Sequence, residues 1–315
     1  MKNVRIVENT LLSWIINRRE QFSLAHATDA IHALQLLKPL GELVLACDVL
    51  IRGISKQRDA YVLMEWAWLQ LDRGQLIHNL LLSRPDLIIL TSIYSSFYRH
   101  GFQHRETLKL LKYLARTDFS EAVQFPNWRR LDFEHALGTL GIGKIRSQSI
   151  AGMWCAKRPE PWLIEHDSAY ALTHEIFYVS DFGRTVERLP QTVVQYVALW
   201  LPSWINIFSR QDNWDLTAEL LMVSSCIPDY PQARDTFDRL STIVGERGFL
   251  PGPDEGGKNL IAPGDSDERI DFLSHYHTVL VGLMAANLSR WRHTSSSSNL
   301  TRHTSGRAKS GAPLS

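Results

Sequence analysis

The sequence predicts an all-α protein of stacked helical hairpins, either closed into an α/α toroid or arranged as an irregular α-solenoid. Three observations point there. Apolar residues recur at the three- and four-residue intervals of helices along nearly the whole chain, no alternating strand pattern runs for more than a few residues, and most connections are short. No fixed repeat unit is visible, which favours a closed ring or an irregular bundle over a regular solenoid.

Taken in order, the helical pattern first covers roughly 4–18, 24–37 and 41–53, with Pro39-Leu40-Gly41 dividing the last two. It resumes over roughly 58–73, 75–82 and 85–98, where Pro85 suits a first helical turn after Ser83-Arg84. Stretches at roughly 104–116 and 128–139 follow, the second ending near Gly138; Gly141 to Ala151 then suits a hinge. The stretch at roughly 162–182 is closed by Gly183, and roughly 190–209, 213–226, 231–246 and 267–291 complete the set. Between the last two lies a Gly- and Pro-rich segment from Gly245 through Gly264, a length that in a compact domain points to function or movement. The expected organisation is a single helical domain over 1–291. Residues 292–315 have the Ser, Thr and basic composition of a disordered tail, and the sequon Asn299-Leu300-Thr301 carries meaning only in a secreted protein.

Charge narrows the function classes. The 315 residues hold 34 Lys and Arg against 33 Asp and Glu, so no overall field favours nucleic acid or an anionic membrane. The N-terminus places Arg5, Glu8, Arg18 and Arg19 around a short apolar patch, unlike a secretory signal, and no apolar run reaches a membrane span. A cytoplasmic protein with no nucleic-acid or membrane partner is expected. Cys47, Cys155 and Cys226 show neither disulfide-framework nor zinc-knuckle spacing and read as buried small residues.

The candidate chemistry sits in HDSAYALTHEIFYVSDFG, His166 to Gly183. Asp167, His174 and Asp181 are seven apart, so on a helix they share one stripe, flanked by Tyr170 and Tyr178. Adjacent members rise about 10.5 Å apart, too far for one ion to bind all three. A partner helix is therefore needed. The stretch DERIDFLSHYHTVLVGLMAANLSRW supplies a candidate, since His277 falls in its stripe with Ile270, Leu273, Leu280 and Met284, whereas His275 lies about 200° away. Arg129 to His135 forms a further polar cluster.

Three readings stay open. His174, His277 and a carboxylate from Asp167, Asp181 or Glu134 bind a divalent metal, Zn, Fe or Mn, as imidazole with carboxylate suits. Alternatively His174 with Asp167 or Asp181 transfers protons without a metal. In the third, all are buried hydrogen-bonding groups that set helix register. The expected catalytic set is His174, Asp167, Asp181, Tyr178 and His277, and the metal set His174, His277 and Asp181. His32, His78, His104 and His135 read as satisfied core residues.

Other motifs carry little. Asp181-Phe182-Gly183 matches the kinase metal triplet without the rest of that signature, GTLGIGK lacks the Ser or Thr of a phosphate loop, and no GxSxG elbow is present. Ten Trp exceed what core packing alone predicts, and Trp200, Trp204 and Asn213-Trp214-Asp215 lie near helix ends suited to substrate contact.

Thr173 to Tyr178 and Ser180 to Gly183, with Tyr276-His277-Thr278, resemble the pattern of an uncharacterised bacterial family of helical proteins often associated with specialised-metabolite pathways. The helix pairs and Gly-rich loops are more loosely similar to α/α-toroid enzymes such as terpene cyclases and glycan-degrading enzymes. The DxDD and DDxxD acid motifs of the cyclases are absent, so their chemistry does not transfer. The expected function is an enzyme acting on a small metabolite, free or carrier-bound; a helical scaffold or ligand-binding module is the alternative.

Overall fold

The computed structural model describes residues 2–117, 122–231, 233–253 and 256–305, with 295–305 as backbone only. Among these residues the protein is all-helical, with no strand. The α-helices are α1 (Lys2–Asn17), α2 (Ala30–Ile51), α3 (Gln57–Gln70), α4 (Gln75–Ser83), α5 (Ile89–Arg99), α6 (Arg105–Leu114) and α7 (Asn127–Thr139). They continue as α8 (Ser147–Ala151), α9 (His166–Val179), α10 (Gln191–Arg210), α11 (Trp214–Cys226), α12 (Arg234–Arg247) and α13 (Asp267–Ser305).

Six of them form a closed cycle of contacts: α2 packs on α5, α5 on α7, α7 on α9, α9 on α11, α11 on α13, and α13 back on α2. The intervening helices attach outside it, α1 to α12 and α13, α3 to α2, and α10 to α11. This arrangement explains the burial patterns. α11 is enclosed on all sides, every residue from Trp214 to Cys226 being buried, whereas α10 keeps Leu199 and Ile207 exposed.

Two boundaries differ from the periodicity. Pro39 does not divide two helices but lies inside α2, whose N-terminus is capped by Asp29 accepting from the amides of Ile31 and His32, both at 2.8 Å. Leu36, Leu37, Leu40, Leu43 and Val44 bury on both sides of the proline. That burial, at about 1.5–3 kcal/mol per side chain, outweighs the roughly 3 kcal/mol an interior proline costs. At the other end α13 continues past Trp291 to Ser305, so the first part of the segment read as a disordered tail is helical backbone; 306–315 lie outside the described residues. Ser and Thr are only mildly unfavourable in a helix already nucleated by a buried stem.

The segment expected to act as a hinge is pinned to α7. Buried Glu134 accepts from the Arg146 amide at 3.0 Å, Arg146 Nε at 2.6 Å and Ser149 Oγ at 2.8 Å. Glu175 does the same for the next stretch, accepting from Asn127 Nδ2 at 3.1 Å and the Trp154 amide at 2.7 Å. The three cysteines are free and buried, as expected. Among the described residues no helix is long and apolar enough to cross a membrane.

The end of α9 shows why Asp181 leaves its predicted stripe. The helix stops at Val179, and Asp181, Phe182 and Gly183 all adopt left-handed backbone, with φ of 47°, 55° and 81°. A non-glycine residue rarely does so. Here Ser180 Oγ accepts from the Gly183 amide at 3.0 Å, and Phe182 is buried against Phe177, with ring centroids 5.5 Å apart. The turn swings Asp181 onto α2, α5 and α7. Its carboxylate accepts from Arg52 Nη1 at 3.0 Å, Arg99 Nη1 at 3.1 Å and His135 Nε2 at 2.9 Å. Arg52 and Arg99 also flank Asp48, which accepts from His100 Nε2 at 2.7 Å. Burial opposes the charge on Asp181, but the His135 hydrogen bond and the Arg52 guanidinium outweigh it and hold its pKa far below the usual carboxylate range.

Two stability predictions follow from these groups. Asp181→Ala leaves buried guanidinium groups short of their counter-charge and is expected to cost about 3 kcal/mol at pH 7 in urea unfolding. Because Asp181 has a depressed pKa, the deficit shrinks as pH falls below the ordinary carboxyl value of 3.8. An Asp181→Ala protein of unchanged stability contradicts the network. Glu175 shows the opposite sign, since burial raises its pKa from 4.5 to about 7 against the Asn127 hydrogen bond. Its contribution is full below pH 4.5 and is lost as pH rises through about 7. The stability of Glu175→Gln relative to the parent should therefore improve by roughly 2 kcal/mol between pH 5 and pH 8, a trend that unfolding at the two pH values reads directly.

A candidate metal centre in the helical cavity

All six cycle helices contribute to the wall of a cavity of about 880 Å³. Among the described residues the rest of its wall is Pro126, Phe182 and the loop before α13, through Pro253, Gly256, Gly257 and Asn259. That loop lies against the α13 backbone so closely that a Cβ on Gly257 would stand 2.0 Å from the Leu273 carbonyl oxygen, and Gly257 also has φ of 67°. Gly252, Gly256 and Gly257 are thus required by close approach to α13, whereas Gly245, Gly248 and Gly264 stand clear of it.

The polar end of the cavity is built from four helices. On α11, Asp215 and Glu219 stand one turn apart on one face, each 2% exposed. From α13 come His277 and Thr278, from α2 Glu42, and from α9 Tyr170, Thr173 and His174. His277 lies with Nδ1 3.1 Å from Glu42 Oε2, and with Nε2 3.7 Å from Asp215 Oδ1 and 3.8 Å from Glu219 Oε1. One ligand atom from each of Asp215, Glu219 and His277 falls within 4.8 Å of the others.

Each carboxylate is oriented by a further donor. Tyr170 Oη donates to Asp215 Oδ2 at 2.5 Å, and Thr278 Oγ1 donates to Asp215 Oδ1 at 2.9 Å. Thr173 Oγ1 donates to Glu219. His174 donates from Nδ1 to the Tyr170 carbonyl at 2.8 Å, with Glu219 Oε2 3.6 Å from the same nitrogen. That bond fixes the protonated nitrogen, and Nε2 has no hydrogen-bond partner among the described residues.

The electrostatics are lopsided. Burial opposes charge on His277, but Asp215 and Glu42 outweigh it and push its pKa well above the ordinary histidine value. Burial likewise opposes charge on Glu42, yet His277 draws its pKa down from 4.5 to about 2. Glu219 is also held below the usual range, by His174 and His277 against its burial. Burial and Asp215 together raise Tyr170, which keeps its proton and remains a donor. Three carboxylates thus face two imidazole rings, His277 and His174. Lys38 Nζ lies 3.9 Å from Glu42 on a side chain 53% exposed, where such a pair contributes little.

The predicted residues divide. His174, His277, Tyr178 and Asp167 all line the cavity. The expected approach of His277 to His174 is met through Glu219, which both rings flank. His275 faces away, accepting from the Gly252 amide at 3.0 Å. Asp167 stands exposed on the rim in the first turn of α9, without an ion pair among the described residues. Asp181 is a correction: it does not line the cavity and is occupied by Arg52, Arg99 and His135, so it belongs to neither the metal set nor the catalytic set. Glu134, the other carboxylate considered, is committed to Arg146 and Ser149. Trp128 is the one tryptophan lining the cavity among the described residues; Trp204 instead donates from Nε1 to the Pro161 carbonyl at 3.0 Å.

Glu42 and Glu219 are absent from the expected sets, and Asp215 enters the sequence reading only within Asn213-Trp214-Asp215, as a substrate-contact segment. A signal for the pair on α11 existed: WDLTAELLMVSSC has two acids four residues apart in a helix otherwise without charge. Acids in a helix that is apolar on every face are buried and need partners.

A family model described as a domain of unknown function (DUF6895) matches residues 9–287, and the chain belongs to that family. The matched range takes in every cavity-lining residue, from Lys38 to Met284. No curated protein and no solved structure matches the chain significantly.

Proposed function

We propose that the protein is an enzyme acting on a small molecule in the cavity, with Asp215, Glu219 and His277 holding a divalent metal ion beside His174. The observation that carries this reading is the convergence of those three side chains within 4.8 Å where buried carboxylate charge exceeds imidazole charge. A divalent cation removes that excess and allows His277 to lose a proton. Glu42 then accepts from His277 Nδ1, the carboxylate–histidine arrangement that orients a metal-binding imidazole. Two carboxylates and one imidazole suit Zn, Mn or Fe(II) and leave coordination positions open.

A metal so held supplies Lewis acidity or an activated water. His174 moves protons at Nε2, with its tautomer set by the Tyr170 carbonyl. Tyr170 and Thr278 orient Asp215, and Thr173 orients Glu219. The closed cycle of six helices supports an α/α toroid as the scaffold. A role in a specialised-metabolite pathway is the setting suggested by the likeness of Thr173 to Gly183 to proteins of such pathways.

A second reading has its own support: His277 surrounded by Glu42, Asp215 and Glu219 is also a self-contained ion network, as a non-catalytic ligand-binding module would have. Elemental analysis of untagged protein separates the two. The enzyme reading expects about one equivalent of Zn, Mn or Fe, lost from the Asp215→Asn, Glu219→Gln double variant with helicity preserved. His174→Ala is expected to keep the metal, because its role is proton transfer. Protein that carries no metal, and binds none of the three on titration, sinks this reading in favour of the second.

A further inference from the structure

We infer that the occupant of the cavity is an amphiphile with an anionic head, the head bound by Arg129 and the apolar body lying between that residue and the acid–histidine cluster. The inference rests on the reading of the cavity as a small-molecule site, and not on the metal. Glu42, Asp215 and Glu219 hold one end of the cavity, while Arg129 enters from α7 beside Asp132, its ion-pair partner at 3.4 Å, and Asp167 stands on the rim. Among the described residues Arg129 and Lys38 are, apart from histidine, the only basic residues in the wall. Lys38 pairs with Glu42.

Arg129 is poorly used by the protein itself. Its only hydrogen bond among the described residues is a long one, 3.4 Å from Nη1 to Asp132 Oδ2, and Asp132 already accepts from Ser92 Oγ at 2.7 Å. A guanidinium carries five donors in a planar fork matched to carboxylate or phosphate. The fork is held in place by stacking: its central carbon lies 4.2 Å from the Trp128 ring centroid. Two further features favour an anion there. α7 has no side-chain cap at its N-terminus, which is its positive end, and Pro126, Trp128 and Arg129 of that end all line the cavity.

The distance to the cluster is bridged by apolar surface. Trp128 lies 5.0 Å from the His174 ring, centroid to centroid, so it spans from the head site to the proton-transfer group. Leu45, Ile93, Phe177, Phe182, Met222 and Met284 line the same cavity. A volume of about 880 Å³ is within the range of sites that enclose drug-sized ligands.

Calorimetric titration with four probes of one body tests this: 2-naphthoate, 2-naphthyl phosphate, 2-naphthylmethanol and 2-naphthylmethylamine. At least one anionic probe is expected to bind roughly tenfold or more tightly than the alcohol, the scale of a hydrogen-bonded charge pair; the better of the two identifies the head as carboxylate or phosphate. Arg129→Gln should remove that advantage and leave the alcohol unchanged, and Arg129→Lys should keep part of it. The advantage should persist in the Asp215→Asn, Glu219→Gln protein, whose metal content is measured on the same sample. Persistence there without metal in the parent would sink the metal reading and leave this one standing. No anionic advantage, an advantage retained by Arg129→Gln, one lost with the two acids, or tightest binding by the amine each overturns the inference.

Discussion

Burying Glu219 and Asp215 on the most enclosed helix of the protein is the constraint on which the rest of the polar architecture depends. A carboxylate at 2% exposure is costly unless every lone pair finds a partner. The neighbouring helices answer that demand: Tyr170, Thr173 and His174 from α9, His277 and Thr278 from α13. Because those partners come from different helices, a shift of any one helix would break several bonds together. The cluster therefore fixes helix register as well as chemistry. Its imbalance is the part that packing does not explain, since a purely structural network gains nothing from a surplus of buried negative charge.

A second network, part-buried, lies outside the cavity. Asp181 and Asp48 tie Arg52, Arg99, His100 and His135 together, joining α2, α5, α7 and the turn after α9. Here each carboxylate has two guanidinium neighbours, and Arg184, donating to the Arg52 carbonyl at 2.6 Å, adds a third guanidinium to the group. The left-handed turn through Asp181 and Phe182 connects the two regions. It sends the carboxylate to the arginines and the phenyl ring to the cavity wall, so local backbone strain is offset by a buried ion network and by stacking on Phe177. The Asp181 network faces positive groups on every side, whereas the Asp215–Glu219 cluster holds more carboxylates than imidazoles.

Much of this was legible in the sequence. Periodicity was sufficient for an all-α fold, and helical geometry was sufficient to choose His277 over His275 and to pair it with His174, because both inferences depend only on rotation about a helix axis. The same geometry failed at Asp181, where it assumed that the helix continued; three left-handed residues are a tertiary outcome that no spacing announces. It also failed at Pro39, where burial on both sides overrides a strong local breaker. Glu42 and Glu219 give no stripe signal, because they stand among apolar residues on helices without a polar face. Asn213-Trp214-Asp215 shows the limit well: position near a helix end points to the indole, whereas the structure brings the next residue, Asp215, to His277 and the cavity.

The central claim is that Asp215, Glu219 and His277 exchange a proton for a metal. Addition of Zn²⁺ to metal-free protein at neutral pH in weak buffer measures this through the protons released. With His277 held as an imidazolium by Asp215 and Glu42, the account predicts release of about one proton per ion bound, absent from His277→Gln. Zn²⁺ uptake without proton release, or the same release from His277→Gln, would contradict it.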